Sequence, residues 1–189
     1  GWVVMGEKTA EFEEEFAKYV GSKYTVFVDS GTAALFLSLA YLKQMFPKMK
    51  HVAVPSLTFT STAEIVVHNK LIPSFVDIDS NDLCTLDIKK PIEVSIPVHL
   101  LGNRSQTYAL MYDSAHRIEK GDVQGSRALW CYSFYATKNL TTINGGMIAT
   151  NDEIAYQWLK KARDHGISKG TIERYKNGNW EYSIDFIGY

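Results

Sequence analysis

Short apolar runs alternate with helical periodicity along almost the whole chain, and that alternation limits the fold more than any other feature of the sequence. Residues 9–20 carry Phe12, Phe16, Tyr19 and Val20 at i, i+4, i+7 and i+8, which predicts a helix with one apolar face, ended by Gly21. Residues 24–28 read as a strand and 33–46 as a strongly apolar helix stopped by Pro47. A second strand over 51–54 ends at Pro55, and a polar loop over 56–62 leads into a helix running to Asn69. Residues 72–78 predict a third strand, and 79–90 a loop with a short extended piece. Two more strands are expected over 94–100 and 108–112, a buried aromatic one over 130–135 and a short one over 147–150. A helix over 154–162 with Gly166 just beyond completes the series. Strands alternating with helices predict an α/β layer structure with a mostly parallel sheet.

Length and charge narrow the classes. The 189 residues suit one domain, and 46% apolar with 22% charged residues is an ordinary soluble composition. A net charge of −1 gives no electrostatic ground for nucleic acid or an anionic membrane as partner. The apolar runs fall short of a transmembrane span. Cys84 and Cys131 lack metal-site spacing and read as buried free thiols of a reducing compartment, which makes the cytoplasm the default address.

Four features fall at strand ends, where open α/β sheets place ligands. Ser30-Gly31-Thr32 sits at a strand-to-helix turn, where glycine admits a ligand and free N–H groups suit a phosphate; an ordinary N-cap would look the same. Phe59, in a Thr/Ser-rich loop, would stack on a flat ring or pack in the core. Asp113 ends an apolar strand with His116 three residues on, a carboxylate needing a cationic partner or a helix cap. Ser133 is followed by Lys138, a lone lysine between two apolar strands. It is either a surface loop residue or an amine desolvated enough to condense with a carbonyl. A phosphate cradle, a stacking ring, a carboxylate and a Schiff-base lysine are together the parts for holding pyridoxal phosphate (PLP).

These residues lie in blocks that resemble the DegT/DnrJ-type nucleotide-sugar aminotransferases, PLP enzymes of aminotransferase fold type I. The blocks run nearly end to end: D-S-G-T-A-A-L, P-S-L-T-F-T-S-T-A, F-V-D-I-D, P-V-H-L-L-G, Y-D-S-A-H, S-F-Y-A-T-K-N-L-T-T-I-N-G-G-M-I-A-T-N-D and A-R-D-H-G-I. The resemblance implies a three-layer α/β/α large domain over 1–166, with 167–189 a loop leading toward an absent C-terminal domain. It implies that Lys138 carries the cofactor and shuttles a proton, that Asp113 pairs with the ring nitrogen and that His116 lies near the phenolic oxygen. Ser30, Gly31, Thr32 and Ser133 would hold the phosphate, and Phe59 would stack on the ring. The implied reaction moves an amino group from an amino acid, glutamate, to a keto group of a nucleotide-linked sugar, in a homodimer with shared sites. A sister branch that dehydrates deoxysugars carries histidine at the lysine position, and Lys138 argues against it.

The pattern departs from the family in two ways. Only residues 101–107 separate the strand over 94–100 from the next, whereas a parallel connection normally needs a dozen or more. A tight extended link or a lost helix is therefore expected, and 117–127 also looks shortened. The chain also stops before the asparagine-and-arginine motif that reaches the partner subunit's phosphate. A catalytically incomplete remnant that binds cofactor or pairs with a full-length subunit is the competing expectation, and a plain α/β binding domain the third. Residues 168–179 read as a mobile loop, with Trp180 and Tyr182 beyond it as a substrate-facing or interface patch, or as buried packing.

Overall fold

The computed structural model describes residues 5–168 and 181–189. The elements run α1 (Glu7–Val20), β1 (Tyr24–Val28), α2 (Gly31–Met45), β2 (His51–Pro55), α3 (Ser61–His68), β3 (Ile72–Ile78), β4 (Leu86–Asp87) and β5 (Val94–Ser95). A 3-10 turn at Leu100–Gly102 follows, then β6 (Met111–Asp113), β7 (Leu129–Ser133), β8 (Gly146–Thr150) and α4 (Glu153–Ala162).

The strands form two four-stranded sheets in the orders β1-β8-β7-β6 and β4-β3-β2-β5, joined by a parallel bridge between Val98 and Asp113. Pairing is parallel for β6–β7, β2–β3 and β2–β5, and antiparallel for β1–β8, β7–β8 and β3–β4. The sheet is therefore mixed. Every residue of β7 and β8 is buried because helices or loops cover both faces. Leu129 and Cys131 of β7 join the core beneath α2, α3 and α4, while Trp130 and Tyr132 join Phe16 and Val20 of α1 on the opposite face. The result is three layers, α/β/α.

Helix α2 is apolar almost all round because it lies between the sheet and helices α3 and α4. Helix α1 buries only Phe16, Ala17 and Val20, and stops where Gly21 takes a left-handed conformation with φ 76°.

The strand expected over 94–100 is cut short at Ser95. Ile96 still donates to the Ala53 carbonyl of β2, but Pro97 has no N–H and the chain changes partner there. Asp113 N–H donates to the Pro97 carbonyl at 3.0 Å and His99 N–H to the Asp113 carbonyl at 2.8 Å. The strand expected from residue 108 begins at Met111, and Tyr108 is exposed. Between them no crossover helix forms. A kink with Leu101 at φ 55° and Gly102 at φ 86° starts an extended path. Gln106 N–H donates to Thr85 Oγ1 at 2.9 Å, Leu86 N–H to Thr107 Oγ1 at 2.8 Å, and the Tyr112 hydroxyl to the Thr107 carbonyl at 3.1 Å. These bonds tie the link to residues 85–86 and to β6 without a helix. The expected loop over 168–179 and Trp180 lie outside the described residues, except Ser168. Residues 181–189 return to the body, where Phe186 stacks on Trp158 at 5.2 Å and Tyr189 meets Phe36 edge-on at 4.8 Å.

Candidate active site

The C-terminal ends of β6 and β7 and the first turns of α2 and α3 converge on one region. Ser30 caps α2, its Oγ accepting the Ala33 N–H at 3.1 Å. The first N–H groups of α2, at Gly31 and Thr32, have no acceptor within the helix and carry its positive dipole end. Gly31 lies directly against Ser133 at the end of β7, and Gly146 at the start of β8 leaves room for the Ser30 carbonyl. Thus Ser30, Gly31 and Ser133 are brought together, with Thr32 exposed beside them. This corner fits an anion such as a phosphate.

Asp113 is 4% exposed. Its Oδ1 accepts the Ala115 N–H at 3.0 Å and its Oδ2 the Thr62 hydroxyl at 2.8 Å, so it caps no helix. Burial pushes its carboxyl above the usual range. The Ala115 and Thr62 bonds, and the positive charges of His116 and Lys138, work against that. Those two residues therefore lie within electrostatic reach of Asp113. His116 is shifted down by burial and then by the Lys138 charge, with Asp113 opposing, and its Nδ1 is buried with no hydrogen-bond partner among the described residues.

Lys138 is half-buried in the loop that leaves β7. Its N–H donates to the Tyr135 carbonyl at 2.9 Å. The loop is tied by Phe134, whose carbonyl accepts from Thr141 Oγ1 at 3.0 Å and whose N–H donates to Gly145 at 2.8 Å. The backbone that carries the lysine is thus fixed in a hydrogen-bonded loop between β7 and β8.

Phe59 is 70% exposed, in the loop before α3. It takes no part in the core, which leaves its ring face available to a ligand. Thr62 was not among the residues singled out from the sequence. The sequence shows only a threonine four positions after Thr58; the structure buries it fully and sets the two hydroxyls 2.8 Å apart. Among the described residues no group of three or more His, Cys, Asp or Glu could hold a metal ion.

A profile of the DegT/DnrJ/EryC1/StrS aminotransferase family matches residues 1–189. The chain is 36% identical over 214 residues to the spore coat polysaccharide biosynthesis protein SpsC of Bacillus subtilis, covering 100% of this chain and 54% of that protein. Among solved structures it is similar to the sugar aminotransferase CalS13 from Micromonospora echinospora, with TM-score 0.82 and 25% identity over 98% of this chain and 56% of that one. It is also similar to the PLP-form of Spr1654 from Streptococcus pneumoniae, with TM-score 0.78 and 26% identity over 100% and 56% of the two chains. The chain spans about half the length of the relatives it matches.

Proposed function

The chain belongs to the DegT/DnrJ/EryC1/StrS aminotransferase family, and on that premise we propose that residues 1–166 form the cofactor-binding core of a PLP-dependent sugar aminotransferase. The reaction transfers an amino group from an amino acid, glutamate, to a keto group of a nucleotide-linked sugar. The observation that supports it best is the buried Asp113 carboxylate at the end of β6, held by the Thr62 hydroxyl and the Ala115 N–H and acted on by the charges of His116 and Lys138.

The residues present fit the cofactor. Among the described residues Asp113 is a buried carboxylate with no cationic side chain bonded to it, and His116 offers a buried Nδ1 without a partner. A Cβ at Gly31 would collide with Ser133, so glycine keeps the helix start close to the strand end. Bound there, PLP supplies a reactive aldehyde and an electron-withdrawing ring. Asp113 accepts the N–H of the ring nitrogen and favours its cationic form. Ser30, Gly31, Thr32 and Ser133 hold the phosphate by hydroxyls and helix N–H groups. Phe59 would offer its exposed ring face to the cofactor ring, and His116 its buried Nδ1 to a polar substituent of that ring. Lys138 would be the amine that holds the group and, when free, the base that moves a proton at the substrate carbon.

Two copies sharing their sites are the proposed assembly, in the cytoplasm. No helix among the described residues is long and apolar enough to cross a membrane. The test is to add PLP to the purified chain, reduce with borohydride and map the modified residue by mass spectrometry. Modification at Lys138, followed by measured amine transfer from glutamate to a keto-sugar nucleotide, is the expected result. A chain whose Lys138 stays unmodified at saturating PLP overturns the proposal, and cofactor binding without transfer returns the reading to a non-catalytic remnant.

A further inference from the structure

The first turn of α3 spends its hydroxyls in an unusual way. Thr60 stands at the N-cap position yet makes no side-chain capping bond. A buried threonine in a helix ordinarily returns its hydroxyl to a carbonyl one turn back. Thr62 instead sends its hydroxyl across to another element, to Asp113 Oδ2 at 2.8 Å. An ionised carboxylate only accepts, so the single Thr62 proton is committed to Asp113. The 2.8 Å contact between Thr58 Oγ1 and Thr62 Oγ1 must then be donated by Thr58. The chain of bonds has one direction, from Thr58 to Thr62 to Asp113.

We propose that Thr58 and Thr62 form a one-way hydroxyl relay that stabilises the ionised Asp113 carboxylate, Thr62 as a positioning residue and Thr58 as its donor. Thr58 immediately precedes Phe59, so the relay also ties the loop bearing that exposed ring to the carboxylate. The relay stands on the geometry alone. Its service to a ring nitrogen rests on the function proposed above.

Ala115 N–H supplies the other hydrogen bond to Asp113, and His116 and Lys138 are the charged groups that act on it. All three remain in a Thr62 variant, so a change in Asp113 acidity there reports the relay. The experiment is a carbon-13 carboxyl titration of Asp113 by NMR in the cofactor-free chain. Thr62→Val, which keeps the shape and removes the hydroxyl, raises the Asp113 midpoint by about one pH unit. Thr62→Ser restores it, and Thr58→Val shifts it the same way by a smaller amount. A folded Thr62→Val chain that titrates like the parent overturns the relay. Should Thr62→Val not fold, Thr58→Val at its half-buried loop position decides, and an unmoved Asp113 midpoint overturns the inference equally. Because no cofactor is present, failure of this test is separate from failure to bind PLP.

Discussion

A Cβ added to Gly31 would lie 2.7 Å from the Cβ of Ser133, so the first residue of α2 and the last residue of β7 touch through the bare glycine backbone. Two parts of the proposed phosphate corner are thereby held at a fixed spacing. Gly31→Ala must push α2 away from β7, an overpacking change costing about 1–3 kcal/mol. The expected result is a lower thermal midpoint together with weaker PLP binding. Thr32→Ala, at an exposed position, is expected to weaken PLP binding with no change in midpoint. Equal PLP affinity for the parent and both variants would place the phosphate elsewhere.

Removing the Lys138 amine separates anchoring from holding. Asp113, His116, Ser133 and the α2 N-terminus are untouched in Lys138→Ala, and the backbone bond from residue 138 to Tyr135 needs no side chain. The variant is expected to fold normally and to keep a measurable affinity for PLP. It would give no borohydride-fixed adduct, and amine transfer would fall by roughly 10³-fold or more. An adduct that persists in Lys138→Ala, located by peptide mapping, would assign the anchor to another lysine.

Much of the fold was legible in local sequence, and the parts that were not are physically distinct. The order of strands and helices follows from apolar periodicity, and the residues at strand ends follow from that order. Pairing partners do not, because the run in β8 reads the same whether it pairs with β7 alone or also, antiparallel, with β1. The strand over 94–100 was over-extended since periodicity does not register a change of partner at Pro97. The path over 101–107 depends on single side-chain bonds, such as Thr85 to Gln106 and Thr107 to Leu86, that no pattern announces. Thr62 was hidden for the same reason: its importance lies in a bond to a residue 51 positions away.

His99 makes stability depend on pH. It is fully buried, stacked against Tyr112 at 5.2 Å and near Trp130 at 4.9 Å, with Nδ1 2.9 Å from the Ser114 hydroxyl and Nε2 unpartnered. Burial, then the charges of Arg117 and Arg104, push its pKa down from 6.5 to about 3. The unfolded chain therefore takes up a proton as pH falls below about 6.5 while the folded chain refuses it. The contribution is complete above that pH and declines toward about 3, with roughly 2–3 kcal/mol lost by about pH 4.5. Urea unfolding at neutral pH and near pH 4.5 measures the loss, and His99→Gln is expected to flatten that difference. An identical pH slope in the variant would show that other groups cause it.

One ion pair ties three elements that are distant in sequence. Glu13 of α1 pairs with Arg163 at the end of α4, and the two also bond β1: Phe27 N–H donates to Glu13 Oε1 at 2.7 Å, and Arg163 Nη1 donates to the Phe27 carbonyl at 2.8 Å. The side chains are only 16% and 11% exposed, so water cannot replace a lost partner easily. Arg163→Met leaves a largely buried carboxylate held by one N–H, and is expected to lose about 3 kcal/mol in urea unfolding. Glu13→Gln in that background removes the orphaned charge and should recover part of the loss, because the two sites share one network. If the two substitutions instead add independently, the pair does no joint work. The docking of α1 and α4 on β1 would then rest on the remaining contacts, such as the Thr25 hydroxyl donating to the Glu13 carbonyl at 2.7 Å and the stack of Tyr24 on Tyr156 at 4.6 Å.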